Sequence, residues 1–234
     1  MRNSSVWDSI MDQYSELNYD IRKKFLYPAI EKIVKDNMIG RNSLLDYGCG
    51  PGDLTPRLVS GFDRMVLTDT SSAALELSRK RFPENVRVVL PDELLKSREQ
   101  FDIAILSLVV STIKKNRDVK RVLRNIFRLL KSKGRLIVAT THPCFTFSAI
   151  SSVPYKVSGG EYMVALDQNI EVNEYHRPLE VLLNLLLQSN FKITVIKEVY
   201  DKSGYYLKQG IKPPRFSGKL PVFIIIVCEP SLNK

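Results

Sequence analysis

Two kinds of segment alternate along the chain. Short apolar runs rich in β-branched residues recur at regular intervals, and the stretches between them repeat apolar residues with helical spacing. This alternation predicts strands wrapped by helices, the arrangement of an α/β fold. Seven strands are predicted, at 43–47, 65–69, 86–90, 102–108, 135–140, 192–198 and 222–228.

Helices are predicted between these strands at 51–60, 71–81, 118–130 and 178–188, and the first forty residues also have a helical pattern. Ser71 and Asp118 are the expected N-terminal caps. Two segments break the alternation. Residues 142–177 lack a clear period and are predicted to form a long loop or irregular insertion, while Lys212-Pro213-Pro214-Arg215 favours a hairpin connection between the last two strands.

The most distinctive segment follows the first predicted strand. Residues 44–52 form an apolar strand that ends in an acid and then carries glycines at alternate positions. Glycine lacks Cβ and tolerates positive φ, so such a turn lets the backbone bend sharply and approach a ligand. A helix starting at about Pro51 would direct its N-terminal amides toward that ligand. Asp69 ends the next strand, where a carboxylate can accept hydrogen bonds from both ribose hydroxyls.

With Asp46, Gly48, Gly50 and Gly52 in this order, the sequence resembles the class I S-adenosylmethionine (SAM) dependent methyltransferases, and in particular their small-molecule-type members. The first motif of that family is an acid followed by three alternate glycines. The dinucleotide-binding fingerprint fits less well, because Asp53 stands where that motif needs a small residue.

The resemblance covers residues 7–230 and implies both fold and cofactor. The expected fold is a Rossmann-like α/β domain: a seven-stranded, mostly parallel sheet with helices on both faces and an antiparallel last strand. The expected cofactor is S-adenosyl-L-methionine. One domain is predicted over 1–234, with an N-terminal helical segment at 1–40 and a lid-like insertion at 142–177.

The resemblance also implies roles for individual residues. Asp46 would lie near the SAM ammonium, and Asp69 would hold the ribose unless it only caps the next helix. Asp92, or its neighbour Glu93, would lie near the adenine amino group. Tyr14 would reach the methionine end unless it only packs its helix on the core. The predicted cofactor-binding residues are Tyr14, Asp46, Gly48, Cys49, Gly50, Asp69, Thr70, Asp92, Glu93, Ser107 and Leu108.

Methyl transfer to a hydroxyl needs, besides proximity and orientation, a base to remove the acceptor's proton. Histidine is the side chain best suited near neutral pH, and the chain has only His142 and His176. Both are predicted catalytic residues, with a turn-capping role as the alternative for His142. Aromatic residues of the insertion are expected at the same rim, as an acceptor pocket or as ordinary packing: Phe145, Phe147, Tyr155, Tyr162 and Tyr175.

Composition adds two constraints. At 234 residues and 44% hydrophobic, the chain can bury one sizeable core, and it has no apolar run long enough for a membrane span. Its three cysteines and two histidines have no metal-ligand spacing, so we expect no metal and a reducing, cytoplasmic setting.

The formal net charge of +10 attracts anions. Because the basic residues occur in several clusters along the chain, we interpret most of them as solvated helix surface. A small-molecule methyl acceptor is therefore the main prediction, with a monomer or homodimer as the expected state. RNA methylation, with nucleic acid as the partner, and a noncatalytic SAM-binding scaffold remain the alternatives.

Overall fold

A computed structural model describes residues 4–16, 21–37, 42–82, 86–144, 159–167, 170–201 and 221–231, and all structural statements concern these residues. The helices are α1 Ser4–Ser15, α2 Tyr27–Asp36, α3 Ser72–Arg81, α4 Pro91–Lys96, α5 Asn116–Leu129 and α6 Leu179–Leu187. A π-helical turn, Arg22–Leu26, leads into α2. The strands are β1 Ser43–Tyr47, β2 Arg64–Thr68, β3 Val86–Val89, β4 Phe101–Ser107, β5 Leu130–Thr141, β6 Gly160–Asp167, β7 Ile170–His176, β8 Phe191–Tyr200 and β9 Pro221–Pro230.

Seven strands form one sheet in the order β3-β2-β1-β4-β5-β9-β8. The first five strands are parallel, whereas β9 runs antiparallel between β5 and β8. The order reverses at β1, and in such sheets ligands bind outside the carboxyl ends of the strands at that point. The predicted fold class, with its antiparallel last strand, is confirmed.

Both faces of the sheet are covered, which explains why its central strands are apolar throughout rather than alternating. One core packs α5 and α6 on the sheet, and the other packs α2 and the preceding π-helical turn on the opposite face. All five residues of β1 are buried. The end of β1, where the glycine turn begins, is therefore held by packing on every side.

Two helix predictions are wrong. Residues 51–60 form turns and two short 3-10 segments, Thr55–Arg57 and Val59–Gly61, instead of an α-helix. Pro56 would lie inside such a helix, where proline lacks the required N–H and clashes with the preceding turn. Helix α5 begins at Asn116 and its N-cap position is Lys115, so Asp118 is not the cap. Ser71 does cap α3, accepting a hydrogen bond from Ala74 N–H at 3.1 Å.

The segment predicted to be irregular contains a second sheet, the antiparallel hairpin β6–β7. Tyr162 and Val172 are buried on its inner face, and Met163 is exposed on the outer one. This period of two is a strand signal that the sequence reading missed. Within the described ranges, no helix is long and apolar enough to span a membrane.

Candidate cofactor and acceptor sites

The turn after β1 has the backbone that its glycines predict. Gly48, Gly50 and Gly52 have φ of 83°, 54° and 79°, in the left-handed region that side chains disfavour. The amides of Gly48 and Cys49 donate to Thr68 O at 2.7 and 3.1 Å, which ties the turn to the end of β2. A Cβ on Gly48 would lie 2.2 Å from Val109 Cγ2, whereas one on Gly50 would have no heavy atom within 4 Å. Gly50 thus borders open space.

Asp46 places a carboxylate beside this turn. The residue is 2% exposed, and no described residue donates a hydrogen bond to its carboxylate. Burial, with a further contribution from the Asp69 charge, raises the pKa of Asp46 to about 7. A buried acid without a donor costs stability unless a ligand supplies one. The carboxylate and the open space at Gly50 therefore fit a cationic group such as the SAM ammonium.

Asp69 organises the second half of the turn. Its two carboxylate oxygens accept hydrogen bonds from Gly50 N–H and Ser71 N–H, each at 2.9 Å. Burial raises the pKa of Asp69, while these amide donors lower it. The carboxylate thus holds the glycine turn against the start of α3, and each oxygen keeps a further lone pair for a ligand hydroxyl. Asp69 could therefore accept hydrogen bonds from the turn amides and from a ribose at the same time.

Asp8 also contacts the start of α3, a role that the sequence analysis did not predict. Its Oδ1 accepts a hydrogen bond from Ser71 Oγ at 2.6 Å and one from Ala73 N–H at 3.2 Å. A carboxylate at this end of a helix is stabilised by the unpaired amides and the helix dipole. Helix α1 is thereby fastened next to Asp69, at the entrance to the predicted cofactor site.

Tyr14 lies on the same helix. Its ring makes an edge contact with Trp7 at 5.4 Å between centroids, and the Arg22 guanidinium lies 4.3 Å from its centroid. A cation over an aromatic face is a favourable pairing. Helix α1 also contacts β7, so it bridges α3 and the hairpin. The predicted role of Tyr14 at the methionine end stays a prediction.

The remaining predicted cofactor residues lie around the same edge of the sheet. Ser107 ends β4 and has a buried hydroxyl without a partner among the described residues, and Leu108 follows at φ 58°. Asp92 and Glu93 occupy the exposed first turn of α4. Thr70 is exposed after Asp69, and Cys49 is partly buried with a thiol pKa well above its ordinary value because of burial. Such a thiol is a packing group rather than a nucleophile.

On the other side of β4, the ends of β5 and the hairpin enclose a cleft. The residues that line it are Val110, Ser111, Thr140, Thr141, His142, Pro143, Tyr162, Tyr175, His176, Arg177 and Leu182. Both predicted catalytic histidines and two of the predicted aromatics are therefore brought together. Phe145, Phe147 and Tyr155 lie outside the described residues.

His142 has protein partners at both ring nitrogens. Nδ1 accepts a hydrogen bond from Cys144 N–H at 3.1 Å, and Nε2 lies 3.2 Å from Glu198 Oε1. This is the turn-capping contact considered above. Burial lowers the pKa of His142, partly offset by Glu198. His176 is 5% exposed at the end of β7 and lines the cleft.

Glu174 is an acidic group that contacts the lining of this cleft, and the sequence analysis did not predict it. Its Oε2 accepts hydrogen bonds from Tyr162 Oη at 2.5 Å and Thr141 Oγ1 at 3.3 Å. Burial raises the pKa of Glu174, whereas hydrogen bonds from Tyr162, Ser111 and Thr141 and the Arg22 charge lower it. The available sequence signal for Glu174 was its position on the inner face of a hairpin, where an apolar side chain is expected.

Arg177 fixes the wall of the cleft. Its buried guanidinium donates to Val110 O at 2.8 Å, to Asn116 Oδ1 at 2.9 Å and to the carbonyls of Ile113 and Lys114. Because these acceptors belong to the connection between β4 and α5, Arg177 locks that connection to the hairpin. Among the described residues, no group of three or more His, Cys, Asp or Glu side chains could hold a metal ion.

Comparison with known proteins agrees with this geometry. Residues 45–136, from β1 to β5, match the model of a family described as methyltransferase domain. Residues 45–136 of this chain therefore form a methyltransferase domain, as the glycine turn predicted. The family and the cofactor class predicted from the sequence are thus confirmed.

The relatives differ in their reactions. An uncharacterized methyltransferase of Schizosaccharomyces pombe is 31% identical over 61% of this chain and 55% of its own length. The ubiquinone/menaquinone biosynthesis C-methyltransferase of Vibrio parahaemolyticus is 29% identical over 51% of each chain. This chain therefore spans about half the length of the curated relatives it matches. The Burkholderia thailandensis 1,6-didemethyltoxoflavin N1-methyltransferase, solved with that compound and S-adenosylhomocysteine, has a TM-score of 0.65 at 18% identity, covering 97% of this chain and 87% of its own.

Proposed function

We propose that this chain is an enzyme that transfers a methyl group from SAM to a small-molecule acceptor held in the cleft between β5 and the β6–β7 hairpin. The observation that carries the proposal is the open space at Gly50 beside the buried Asp46 carboxylate. SAM would supply an activated methyl group. The protein then has to bind the cofactor, orient the acceptor behind the methyl carbon and accept any proton that is released.

On the cofactor side, Asp46 would hold the ammonium, and Asp69 the ribose through the lone pairs that its amide donors leave free. Ser107, with its unpartnered hydroxyl, would face the bound molecule next to Leu108. Asp92 or Glu93 would lie toward the adenine. Helix α1, fastened by Asp8 and carrying Tyr14, would cover the methionine end.

On the acceptor side, the polar cleft suits a compound with hydrogen-bonding groups. The predicted roles of His142 and His176 are kept, but with both His142 nitrogens engaged, Glu174 is a stronger candidate for the proton-accepting group. Its Oε2 accepts hydrogen bonds from the hydroxyls of Tyr162 and Thr141, two residues that line the cleft. The insertion at 142–177 would act as the lid over this compound.

The small-molecule relatives support this choice of acceptor class. The Vibrio enzyme is named for quinone biosynthesis, and the Burkholderia enzyme for methylation of a nitrogen in a small heterocycle. A low-molecular-weight acceptor is common to both. The two enzymes are named for methylation of different atoms, carbon and nitrogen. The assay below therefore has to identify the atom that this chain would methylate.

The first test is calorimetric titration of SAM and S-adenosylhomocysteine into the wild type and Gly50→Val. Valine would fill the open space, so binding should be lost while the protein stays folded. Gly50→Ala is the matched control, since it also places a Cβ at φ 54° but has a smaller, unbranched side chain. Wild-type affinity retained in Gly50→Val would refute the assignment of this space to the cofactor.

The second test is S-adenosylhomocysteine release over a panel of phenols, quinols, amines and heterocycles. Glu174→Gln should reduce turnover at least tenfold without changing SAM affinity, because only the acceptor side is altered. Glu171→Gln, on the exposed outer face of the same hairpin, is the control and should behave like the wild type. If the protein binds SAM but releases S-adenosylhomocysteine with no compound of the panel, the alternative of a noncatalytic scaffold is favoured.

A further inference from the structure

The positive charge of this protein is concentrated in one segment. Residues 114–133 contain nine lysines and arginines and a single acid, Asp118, which is a net charge of +8. The other 214 residues carry only +2 of the total of +10. Most of the excess positive charge therefore lies in this one segment.

The structure arranges this segment as a row of arginines along α5. Arg117, Arg121, Arg124 and Arg128 are all exposed and lie three or four residues apart, on one face of the helix. We refer to these four residues as the arginine row. From first to last it extends about 16 Å, at 1.5 Å per residue. The opposite face of α5 is buried in the core through Val119, Leu123, Ile126 and Leu129.

Most of this charge has no hydrogen-bond or ion-pair partner among the described residues. Arg121 pairs with Asp118 at 3.2 Å, and at the two ends Lys114 pairs with Glu161 and Lys131 with Asp102, each at 2.9 Å. Five other basic side chains make no hydrogen bond or ion pair with a described residue: Lys115, Arg117, Lys120, Arg124 and Arg128. Like charges this close destabilise the isolated helix, so a structural role does not account for them.

The arginine row starts at the acceptor cleft. Arg177, which lines the cleft, holds the carbonyls of Ile113 and Lys114 just before α5. From there the helix runs toward Lys131 and Lys133, at the opposite end of the sheet. A long polyanion on the row would therefore pass the rim of the cleft at one end.

We propose that the arginine row binds the phosphodiester backbone of a nucleic acid. Arginine's planar guanidinium can donate two parallel hydrogen bonds to one phosphate, and all four residues of the row are arginines. The row is linear and one residue wide, which suits a strand of phosphates. This inference goes beyond the proposed methyl transfer and does not depend on it.

An anionic membrane is the less suitable partner. Helices that bind membrane interfaces insert apolar side chains, but every large exposed apolar residue of the described chain lies outside 114–133.

The test is fluorescence anisotropy with labelled 20-nucleotide RNA and DNA of one sequence, single-stranded and duplex, at 50–200 mM salt. We expect a Kd between about 1 and 100 µM at physiological salt, falling affinity as salt rises, and no sequence preference. Changing all four arginines of the row to glutamine should weaken binding at least tenfold. It should also reduce the salt slope by about 3, at roughly 0.7 to 0.9 per lost phosphate contact.

The matched control replaces four exposed basic residues elsewhere by glutamine: Lys32, Lys80, Arg98 and Lys192. It changes the net charge equally and should bind like the wild type, with thermal melts confirming that both variants fold. The RNA and DNA arms identify which nucleic acid is preferred. The proposal is overturned if wild-type binding is weaker than about 1 mM, if both variants lose affinity equally, or if phosphatidylserine vesicles bind the protein and oligonucleotides do not.

Discussion

Asp46→Asn should make the cofactor-free protein more stable and at the same time weaken its binding of SAM. The Asp46 carboxylate is buried, and its pKa is about 7 instead of 3.8. A folded-state pKa above the unfolded one means that ionisation opposes folding. The penalty begins as pH rises through about 4 and is complete above pH 7. At 1.36 kcal/mol per pKa unit, it amounts to about 4 kcal/mol.

Asparagine has nearly the same shape and cannot ionise. We therefore expect Asp46→Asn to raise the free energy of unfolding at pH 8 by a few kcal/mol and to leave it unchanged near pH 4. Urea unfolding at both pH values, without cofactor, measures the difference. The control is Asp102→Asn, which removes a carboxylate at the other end of the sheet and should lower stability instead.

The affinity for SAM should change in the opposite direction to the stability. If the ionised Asp46 holds the SAM ammonium, wild-type affinity should increase about fivefold from pH 6 to pH 7, as the ionised fraction grows from roughly a tenth to a half. Calorimetry with Asp46→Asn should give weaker binding without this pH dependence. An asparagine variant that binds SAM as tightly as the wild type, with an unchanged pH profile, would refute the pairing of Asp46 with the cofactor.

Two further predictions concern the frame of the site. Gly48→Ala should lower the free energy of unfolding by about 3 kcal/mol, because its Cβ would lie 2.2 Å from Val109 Cγ2 and its φ is 83°. Adding Val109→Ala should recover the steric part, and a double variant no more stable than the single one in urea would contradict the clash. For Asp102, burial raises the pKa, but hydrogen bonds from Ser43, Lys131 and Asn42 more than offset it and lower the pKa to about 2. Its stabilisation of about 2 kcal/mol should be present above pH 4 and lost as pH falls through 2, so that the urea midpoints of Asp102→Asn and the wild type converge near pH 2 rather than staying parallel.

Local patterns in the sequence were sufficient to predict the strands and the glycine turn. The strands of a covered parallel sheet are continuous apolar runs, and the left-handed φ of Gly48, Gly50 and Gly52 restricts those positions to glycine. Ser71 was recognisable as a cap because an N-cap depends on only a few neighbouring residues. The same local reasoning missed the effect of Pro56 on the 51–60 segment and the period of two in β6–β7.

Tertiary structure alone decided which distant residues meet. That β9 lies between β5 and β8, that Asp8 reaches the start of α3, and that Glu174 faces Thr141 all depend on contacts between residues far apart in the chain. The pKa values of Asp46 and Glu174 likewise depend on burial, which residue type does not specify. Residue order therefore determined the elements and the cofactor motif, whereas long-range packing determined the acceptor cleft and the charges that act in it.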